Sequence, residues 1–547
     1  MARLPARSLW KAVSGRGGRL LRVGAASKDR VARPITSTTT NGSQNQIVAP
    51  KGGTAEDVLE QGARKLLEYV RGASVGSQPV VRLKSPGELK KAFRATGCGL
   101  EITGTEEVAG VDELLAAVEC VLENSVNTAH PLFFNQLYSR GDPLSILADW
   151  MIAATNTNVH TYEVAPVYTV MEAEVLRRCA RLIGFEGGYD GLLVPGGSIA
   201  NLYGMLLARH RADPEWKTRG MNGGPNLVAF TSDHSHYSYK KSAMTMGLGT
   251  DNLITIPTDR DTGAMVTEKL EEAILKSKAE GKVPFFVGAT AGTTVRGGYD
   301  KFDEIADVCS EHGVWMHIDA AWGGGALLSR RQRHTMHGAS RTDSYAWNPH
   351  KMLGATMQCS IFLTRHKDTL HECNGTSAEY LFQPDKLYTE YDVGDKTIQC
   401  GRRADAAKLW LMWKAYGDVG LEKRVDHLYA LADHIQERIE SSGGKFALTF
   451  PRSCTNVGFW YVPRALRPFD FSTADKHALD RIAKVAPYIK NRMQQTGDAL
   501  IGFQPLDGKP NFFRIVFANA DNVTFDDVDQ MLERMEAIGE EGFPSKA

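Results

Sequence analysis

The sequence predicts an α/β protein built on a mainly parallel sheet with helices on both faces. Three observations lead there. Between about residues 155 and 420, short apolar runs (Leu192–Val194, Leu227–Phe230, Pro284–Val287, Val314–Ile318, Ser344–Trp347) alternate with helix-like or Gly-rich segments. Strands alternating with helical patterns indicate βαβ units, and uninterrupted apolar strands indicate burial on both faces. The chain of 547 residues, 42% hydrophobic and 23% charged, is long enough for two or three packed units. Polar residues able to do chemistry follow the apolar runs directly, and the carboxyl ends of strands are where an open parallel sheet takes its ligands.

Taken in order, residues 1–33 begin with Arg3, Arg7, Lys11, Arg16, Arg19, Arg22 and Lys28 before the first acidic residue, Asp29, with Leu4, Leu9, Trp10, Val13, Leu20, Leu21 and Val23 interspersed. An Arg-rich, Ser-containing, acid-poor start of this kind has the character of a mitochondrial or plastid transit peptide, with a disordered basic tail as the plainer reading. Residues 34–55, rich in Thr, Ser, Asn, Gln and Gly, read as a flexible linker. Residues 56–154 form a helical segment, carried by the pattern from Asp57 to Gly72 and by Val111, Leu114, Leu115, Val118 and Leu122, before the irregular stretch His130–Gly141. Residues 155–420 hold the sheet. Residues 421–547, a long helical stretch followed by strands at Val457–Val462 and Phe512–Phe517 and a last helix, form a smaller α+β domain.

Composition narrows the function. Lys plus Arg equals Asp plus Glu at 64 each, so no global field calls for nucleic acid or an anionic membrane. Eight scattered Cys without zinc-type spacing suggest a reducing compartment and no disulfide framework. No apolar run is long enough to span a bilayer.

Four weak signals occur in one chain order. Pro195-Gly196-Gly197-Ser198 links a strand to a helix whose stripe is Ile199, Leu202, Tyr203, Leu206 and Leu207. Glycines there let backbone N–H groups approach an anion, and Ser198 is placed to cap the helix and donate its hydroxyl. His234-Ser235-His236 follows the second run; a His there can stack on a flat ring, whereas an i, i+2 His pair is poor evidence for zinc. Asp319 ends the run Val314–Ile318, where a buried carboxylate needs a cationic partner such as a protonated pyridine nitrogen. Asn348-Pro349-His350-Lys351 ends the next, presenting a lysine that a desolvated site can make nucleophilic. Thr293-Thr294 adds hydroxyls at the same rim. Each signal has an ordinary reading alone (a turn, a helix cap or salt bridge, a solvated lysine); their combination at one sheet edge does not.

At these residues the chain resembles the group II pyridoxal 5′-phosphate (PLP)-dependent decarboxylases of fold-type I, in the glutamate decarboxylase and cysteine sulfinate decarboxylase branch. The resemblance runs from about residue 56 to the end. It also rests on Phe134-Asn135-Gln136-Leu137, Thr161-Tyr162-Glu163-Val164-Ala165-Pro166, Ala291-Gly292-Thr293-Thr294, Asp319-Ala320-Ala321-Trp322-Gly323-Gly324, Gly394-Asp395-Lys396, Gln399-Cys400-Gly401-Arg402 and Asn511-Phe512-Phe513-Arg514. It implies a seven-stranded-type sheet and PLP as cofactor, with Lys351 as its Schiff-base lysine. Asp319 would pair with the ring nitrogen, His236 stack on the ring, Gly197 and Ser198 hold the phosphate, Thr293 lie near the ring, and Ala321 and His350 adjoin the cofactor. It further implies that Arg514 binds the substrate α-carboxylate, that Gln136, Leu137, Tyr138, Asn158 and His160 touch the substrate, and that Tyr388, on a mobile loop, protonates Cα. A homodimer with sites at the subunit interface is implied too.

For the substrate the signals divide. Ala148-Asp149-Trp150 and Ala154-Thr155-Asn156-Thr157-Asn158 resemble glutamate decarboxylases, so glutamate, giving 4-aminobutanoate, is the first expectation. Tyr138 resembles the cysteine sulfinate and aspartate decarboxylases, where a ring shortens the pocket; hypotaurine or β-alanine would be the product. His160 departs from the Phe or Tyr of both groups, either pairing with the distal acid or packing as a neutral ring. Other PLP chemistry (an aminotransferase or carbon–sulfur lyase), a non-catalytic homologue and a metal hydrolase using His234 and His236 are the rival classes.

Overall fold

The computed structural model describes residues 49–102, 104, 108–378, 381–383 and 385–544. The basic segment 1–33 and the linker as far as residue 48 lie outside the described residues.

Among the described residues the large sheet has seven strands, five of them on the apolar runs: β1 (Asp190–Val194), β2 (Leu227–Ser232), β3 (Leu253–Ile256), β4 (Val283–Thr290), β5 (Trp315–Ala320), β6 (Ser344–Trp347) and β7 (Ser360–Thr364). They lie in the order β1-β7-β6-β5-β4-β2-β3. Only β7 runs antiparallel to its neighbours β1 and β6, so the other six point their carboxyl ends to one edge. The sheet is thus mainly parallel, as expected. Strands β3 and β7 were not foreseen. β3 is a short edge strand with Ile254 half-buried and Thr255 exposed, so it lacks the apolar run of a central strand.

A second sheet of five strands joins Phe446–Leu448, Asn456–Tyr461, Lys509–Val516 and Leu500–Leu506 to Phe133–Phe134, which pairs in parallel with Leu500 and Ile501. One strand of the smaller sheet therefore comes from the stretch that the sequence left irregular. Around it, the segment 56–154 is helical at Ala55–Gly72, Pro86–Arg94, Val111–Asn124 and Pro143–Thr155. Thr54 and Asp57 bond reciprocally across the start of the first helix, satisfying N–H groups that a helix end leaves open.

The helix Ala406–Glu440 crosses position 420 and is interrupted at Gly417 (φ 60°, ψ −176°), where the left-handed φ favours glycine. Most of its buried side chains, including Leu409, Leu421 and Leu428, belong to one continuous core. That core also holds Val287 and Ile318 of the large sheet and Phe459 and Ile515 of the small one. Among the described residues no helix is long and apolar enough to cross a membrane.

Candidate active site

The carboxyl ends of β1, β2, β4, β5 and β6 surround a cavity of about 200 Å³. Gly197, Ser198, His236, Asp319, Ala321 and Lys351, all singled out in the sequence, line it together. Thr294, read in the sequence as a hydroxyl at this rim, lines it too, and so do Asn201, Tyr237, Thr290, Gly292, Trp322 and Asn348, which were not singled out as site residues. Asn201 had a signal: four residues after Gly197 on the helix Gly197–Ala212, it shares that residue's face.

After β1 the chain turns at Gly196, whose φ of 101° is available to glycine at little cost. Gly196 holds the N-cap position; Ser198, expected to cap, lies within the first turn of the helix instead. A Cβ on Gly197 would stand 2.7 Å from Asn348 Nδ2 and 3.4 Å from Ala321 Cβ, so a side chain there would fill the cradle. First-turn N–H groups without helical acceptors suit an anion such as a phosphate.

Asp319 is 5% exposed at the end of β5. Its Oδ1 accepts from the Ala321 N–H at 3.0 Å, and its Oδ2 from Asn201 Nδ2 at 2.7 Å. The same Nδ2 donates to Ser238 Oγ at 2.9 Å, and Asn201 Oδ1 faces His317 Nε2 at 3.1 Å. His317 Nδ1 lies 2.8 Å from Ser344 Oγ, which also accepts from Trp315 Nε1 at 2.8 Å. The carboxylate dictates every proton position along this chain. It accepts only, so the Asn201 amide must turn its NH₂ to Asp319 and its oxygen to His317. His317 then carries its proton on Nε2 and accepts the Ser344 hydroxyl at Nδ1. Burial pushes His317 down to about 4, which keeps the ring neutral. Toward the cavity, Ser238 donates its hydroxyl at 2.8 Å and its N–H at 3.2 Å to His236 Nδ1, leaving the ring proton on Nε2. Burial also lowers His236, so it too favours the neutral form.

Burial lowers the Lys351 amine from its ordinary value; Asp319 opposes that shift and Arg514 adds to it. A lysine so placed reaches the nucleophilic free amine more readily. Arg514 donates from Nη1 to the Thr294 carbonyl and from Nη2 to the Asn135 carbonyl, both at 3.0 Å. The loop carrying Thr294 is fastened by Asn456, whose Nδ2 donates to the carbonyls of Val295 at 2.8 Å and Thr293 at 3.3 Å.

Other expected residues lie outside the cavity lining. The Thr293 hydroxyl accepts from the Gly298 N–H at 3.0 Å within its own turn, and the neighbouring Thr294 faces the cavity instead. The ring of His350 engages the opening of β7, with Nδ1 2.7 Å from the Cys359 carbonyl, and burial pushes it down to about 4. Asn158 uses both ends of its amide on backbone, donating to Cys400 O at 3.1 Å and accepting from Arg402 N at 2.8 Å. The His160 carbonyl accepts from the N–H groups of Val393 and Gly394, while its buried Nδ1 has no partner among the described residues. Gln136 is exposed and Leu137 packs against the main core. Tyr138 joins a small cluster of Val80, Phe133 and Leu500, its ring centroid 6.3 Å from that of Phe133. Tyr388, at φ 63° and 54% exposed, sets its ring 5.0 Å from that of Tyr162. His234 bonds Asp507 through Nε2 at 2.8 Å, so the two histidines of the metal reading engage different partners.

The pyridoxal-dependent decarboxylase conserved domain matches residues 99–462. The chain is 44% identical over 481 residues to glutamate decarboxylase of Drosophila melanogaster, covering 87% of this chain and 91% of that protein. It is 46% identical over 473 residues to human cysteine sulfinic acid decarboxylase, covering 86% and 93%. The crystal structure of mouse CSAD superimposes with a TM-score of 0.83 at 42% identity, over 89% of this chain and 99% of that one.

The cavity suits PLP on its own terms. Its glycine cradle leaves space that a Cβ would fill and its lysine is desolvated; among the described residues its buried carboxylate has no cationic partner bonded to it and the buried Asn348 Oδ1 has no hydrogen-bond partner. Lys351 would hold the aldehyde carbon, Asp319 the ring nitrogen, and the N–H groups at Gly197 and Ser198 the phosphate. A fold-type I scaffold, this cavity and the relatives agree: the chain belongs to the pyridoxal-dependent decarboxylase family, in the branch containing glutamate and cysteine sulfinic acid decarboxylases, and is a PLP-dependent amino acid carboxy-lyase.

Proposed function

We propose that the chain removes the α-carboxylate of a small acidic L-amino acid, foremost L-glutamate, to give 4-aminobutanoate and carbon dioxide. The observation that carries this choice is the seat of Tyr138. Its ring is taken up by Val80, Phe133 and Leu500, and it does not line the Lys351 cavity, so it does not shorten the space for a longer side chain. L-Cysteine sulfinate or L-aspartate is the second reading, supported by the identity of residue 138 and by the 46% likeness to the human cysteine sulfinic acid enzyme.

When bound, PLP supplies an electron-withdrawing ring that takes up the electron pair left behind by carbon dioxide. The residues of the chain do the rest. Asp319, held by Asn201 and Ala321, presents its carboxylate at the end of β5. His236, with its Nδ1 occupied, offers a flat neutral ring and a proton on Nε2. Arg514 would orient the α-carboxylate, and Tyr388 would hold the proton destined for Cα. In this structure Tyr388 rests on Tyr162, and Lys386 of the same loop bonds Glu163 at 2.7 Å, so delivery requires the loop to leave these contacts.

A homodimer fits the exposure of Leu147, Met151, Val164, Val167 and Val170 on neighbouring segments. Targeting to mitochondria is supported by the seven basic residues before Asp29. The decisive experiment is a panel of glutamate, aspartate, cysteine sulfinate and cysteate with purified protein and PLP, read by amine product and repeated for Tyr138→Ser. The highest kcat/KM on glutamate, little altered by Tyr138→Ser, is expected. A preference for cysteine sulfinate or aspartate that Tyr138→Ser moves to glutamate overturns it.

A further inference from the structure

His234, two residues before His236, does not line the cavity, yet its side chain is only 5% exposed. Its Nε2 lies 2.8 Å from Asp507 Oδ1. The carboxylate accepts only, so Nε2 carries the ring proton and Nδ1 is left to accept the Thr258 hydroxyl at 3.4 Å. Asp507 comes from the other sheet. It opens the two-residue turn Asp507-Gly508 between the strands Leu500–Leu506 and Lys509–Val516. Its φ of 52° and the 72° of Gly508 are the left-handed pair that an Asp-Gly hairpin accepts. The second carboxylate oxygen, Oδ2, stands 3.9 Å from Arg296 Nη1. The Arg296 side chain is 1% exposed, and among the described residues its Nη1 and Nε have no hydrogen-bond partner. Its Nη2 donates to the Asp261 carbonyl at 2.8 Å, and its guanidinium lies 4.1 Å from the centroid of the Phe450 ring. Burial lowers Arg296, and Asp507 is the foremost charge opposing that shift.

One carboxylate of the small sheet thus engages two loops of the large one. His234 and His236 share the loop between β2 and the helix Ser238–Thr245, and Thr294 and Arg296 share the turn from Gly292 to Gly298. His236 and Thr294 line the Lys351 cavity; Asp507, His234 and Arg296 stay outside it. We propose that Asp507 is a positioning residue for the decarboxylation. It fixes the two cavity-flanking loops against each other, acting through His234 on the His236 ring and through Arg296 on Thr294. An exposed ion pair would do little, but both partners of this carboxylate are buried and poorly screened by water. Without it, Ser238 would still bond His236 Nδ1, while the loop ahead of that ring would lose its tie to the small sheet. The role is the same whichever acidic amino acid the enzyme takes.

The test uses the PLP-loaded enzyme and whichever amino acid of the panel it turns over fastest. PLP is not chiral, so its visible circular dichroism reports how protein groups sit around it. Asp507→Gly removes the carboxylate without strain at that φ. Asp507→Asn also tolerates the left-handed φ and keeps an acceptor for His234, but it removes the charge facing Arg296. Asp507→Gly should lower kcat per bound PLP roughly 10- to 100-fold, the cost of a small misplacement around reacting atoms, with KM within about threefold of wild type. Its visible dichroism per bound PLP should weaken, and Asp507→Asn should fall between it and wild type in both readouts. Adding His234→Ala to Asp507→Gly should deepen the loss by no more than about threefold, although His234→Ala alone costs more than that. A purely structural role would lower the melting temperature and the loaded fraction, leaving kcat and dichroism per bound PLP unchanged; that result overturns the proposal. Losses carried by KM, or losses that multiply in the double variant, overturn it too. If Asp507→Gly does not hold PLP, Asp507→Asn decides: kcat and dichroism per bound PLP equal to wild type overturn the role of Asp507.

Discussion

Asn201→Leu tests the proton chain behind the cofactor cavity. Leucine nearly matches asparagine in size but offers neither donor nor acceptor. Asp319 Oδ2 and Ser238 Oγ lose the shared Nδ2 donor, and the His317 Nε2–H loses its acceptor inside a fully buried site. Ser238 keeps its bond to His236, so the two groups left bare are the carboxylate oxygen and the histidine N–H. A buried group without its partner costs about 1–3 kcal/mol, so the pair amounts to roughly 2–6 kcal/mol, a large part of a typical folding free energy. Asp319 would keep only the Ala321 N–H, and its grip on a ring nitrogen would loosen. Thermal unfolding of apo and PLP-loaded protein, with a PLP titration followed by absorbance, reads both effects. Melting temperatures should drop in both forms, and PLP should bind at least about tenfold more weakly. An apo melting temperature within about 1 °C of wild type, together with an unchanged titration, would refute the chain of proton positions drawn from Asp319.

Acid should destabilise the fold through His317 and His350, both pushed by burial to about 4 from the ordinary 6.5. The unfolded chain binds the extra protons between those values, so stability rises with pH across that window and is lost as pH falls; each ring contributes a loss of about 2 kcal/mol between pH 7 and 5. Urea unfolding at both pH values checks this, and a His350→Gln variant whose midpoint depends on pH as steeply as that of wild type would count against it. The ion pair of Arg402 with Glu172 is almost solvent-free, and the pair also bonds both the N–H and the carbonyl of Leu193 on β1. Glu172→Leu strands a buried guanidinium and should cost about 3–5 kcal/mol. The double variant Glu172→Leu/Arg402→Met should recover much of that in the same denaturation assay, and no recovery would mean that the pair's charges are not what the fold needs.

How far the site could be read in advance depends on where each residue's partners come from. Asp319, Lys351 and Ser198 were legible because each follows an apolar run, and a parallel sheet gathers such ends at one edge whatever packs around them. Asn201 and Asn348 sat beside those signals and gain meaning only once Asp319 and Gly197 are seen to touch them. Thr293 and Thr294 are adjacent hydroxyls, and only the turn from Gly292 to Gly298 decides which one faces inward. Tyr138, Asn158 and His160 belong to segments without sheet registry. Their surroundings come from Val80, Arg402 and Gly394, distant in sequence, and no local pattern announces those contacts. The same holds for Phe133–Phe134, two residues that become a strand only because Leu500 and Ile501 lie alongside.

The continuous core and the Asn456 staple tie the large and small sheets together. Because Val287 and Ile515 share one interior, and Asn456 of the small sheet holds the loop that presents Thr294, the regions cannot melt separately without exposing each other's apolar surface. A cofactor docking at the edge of the large sheet therefore stabilises the last helix, Phe525–Gly542, by mass action. Cellular PLP supply would then influence how long this folded region survives proteolysis as well as how much of it is active.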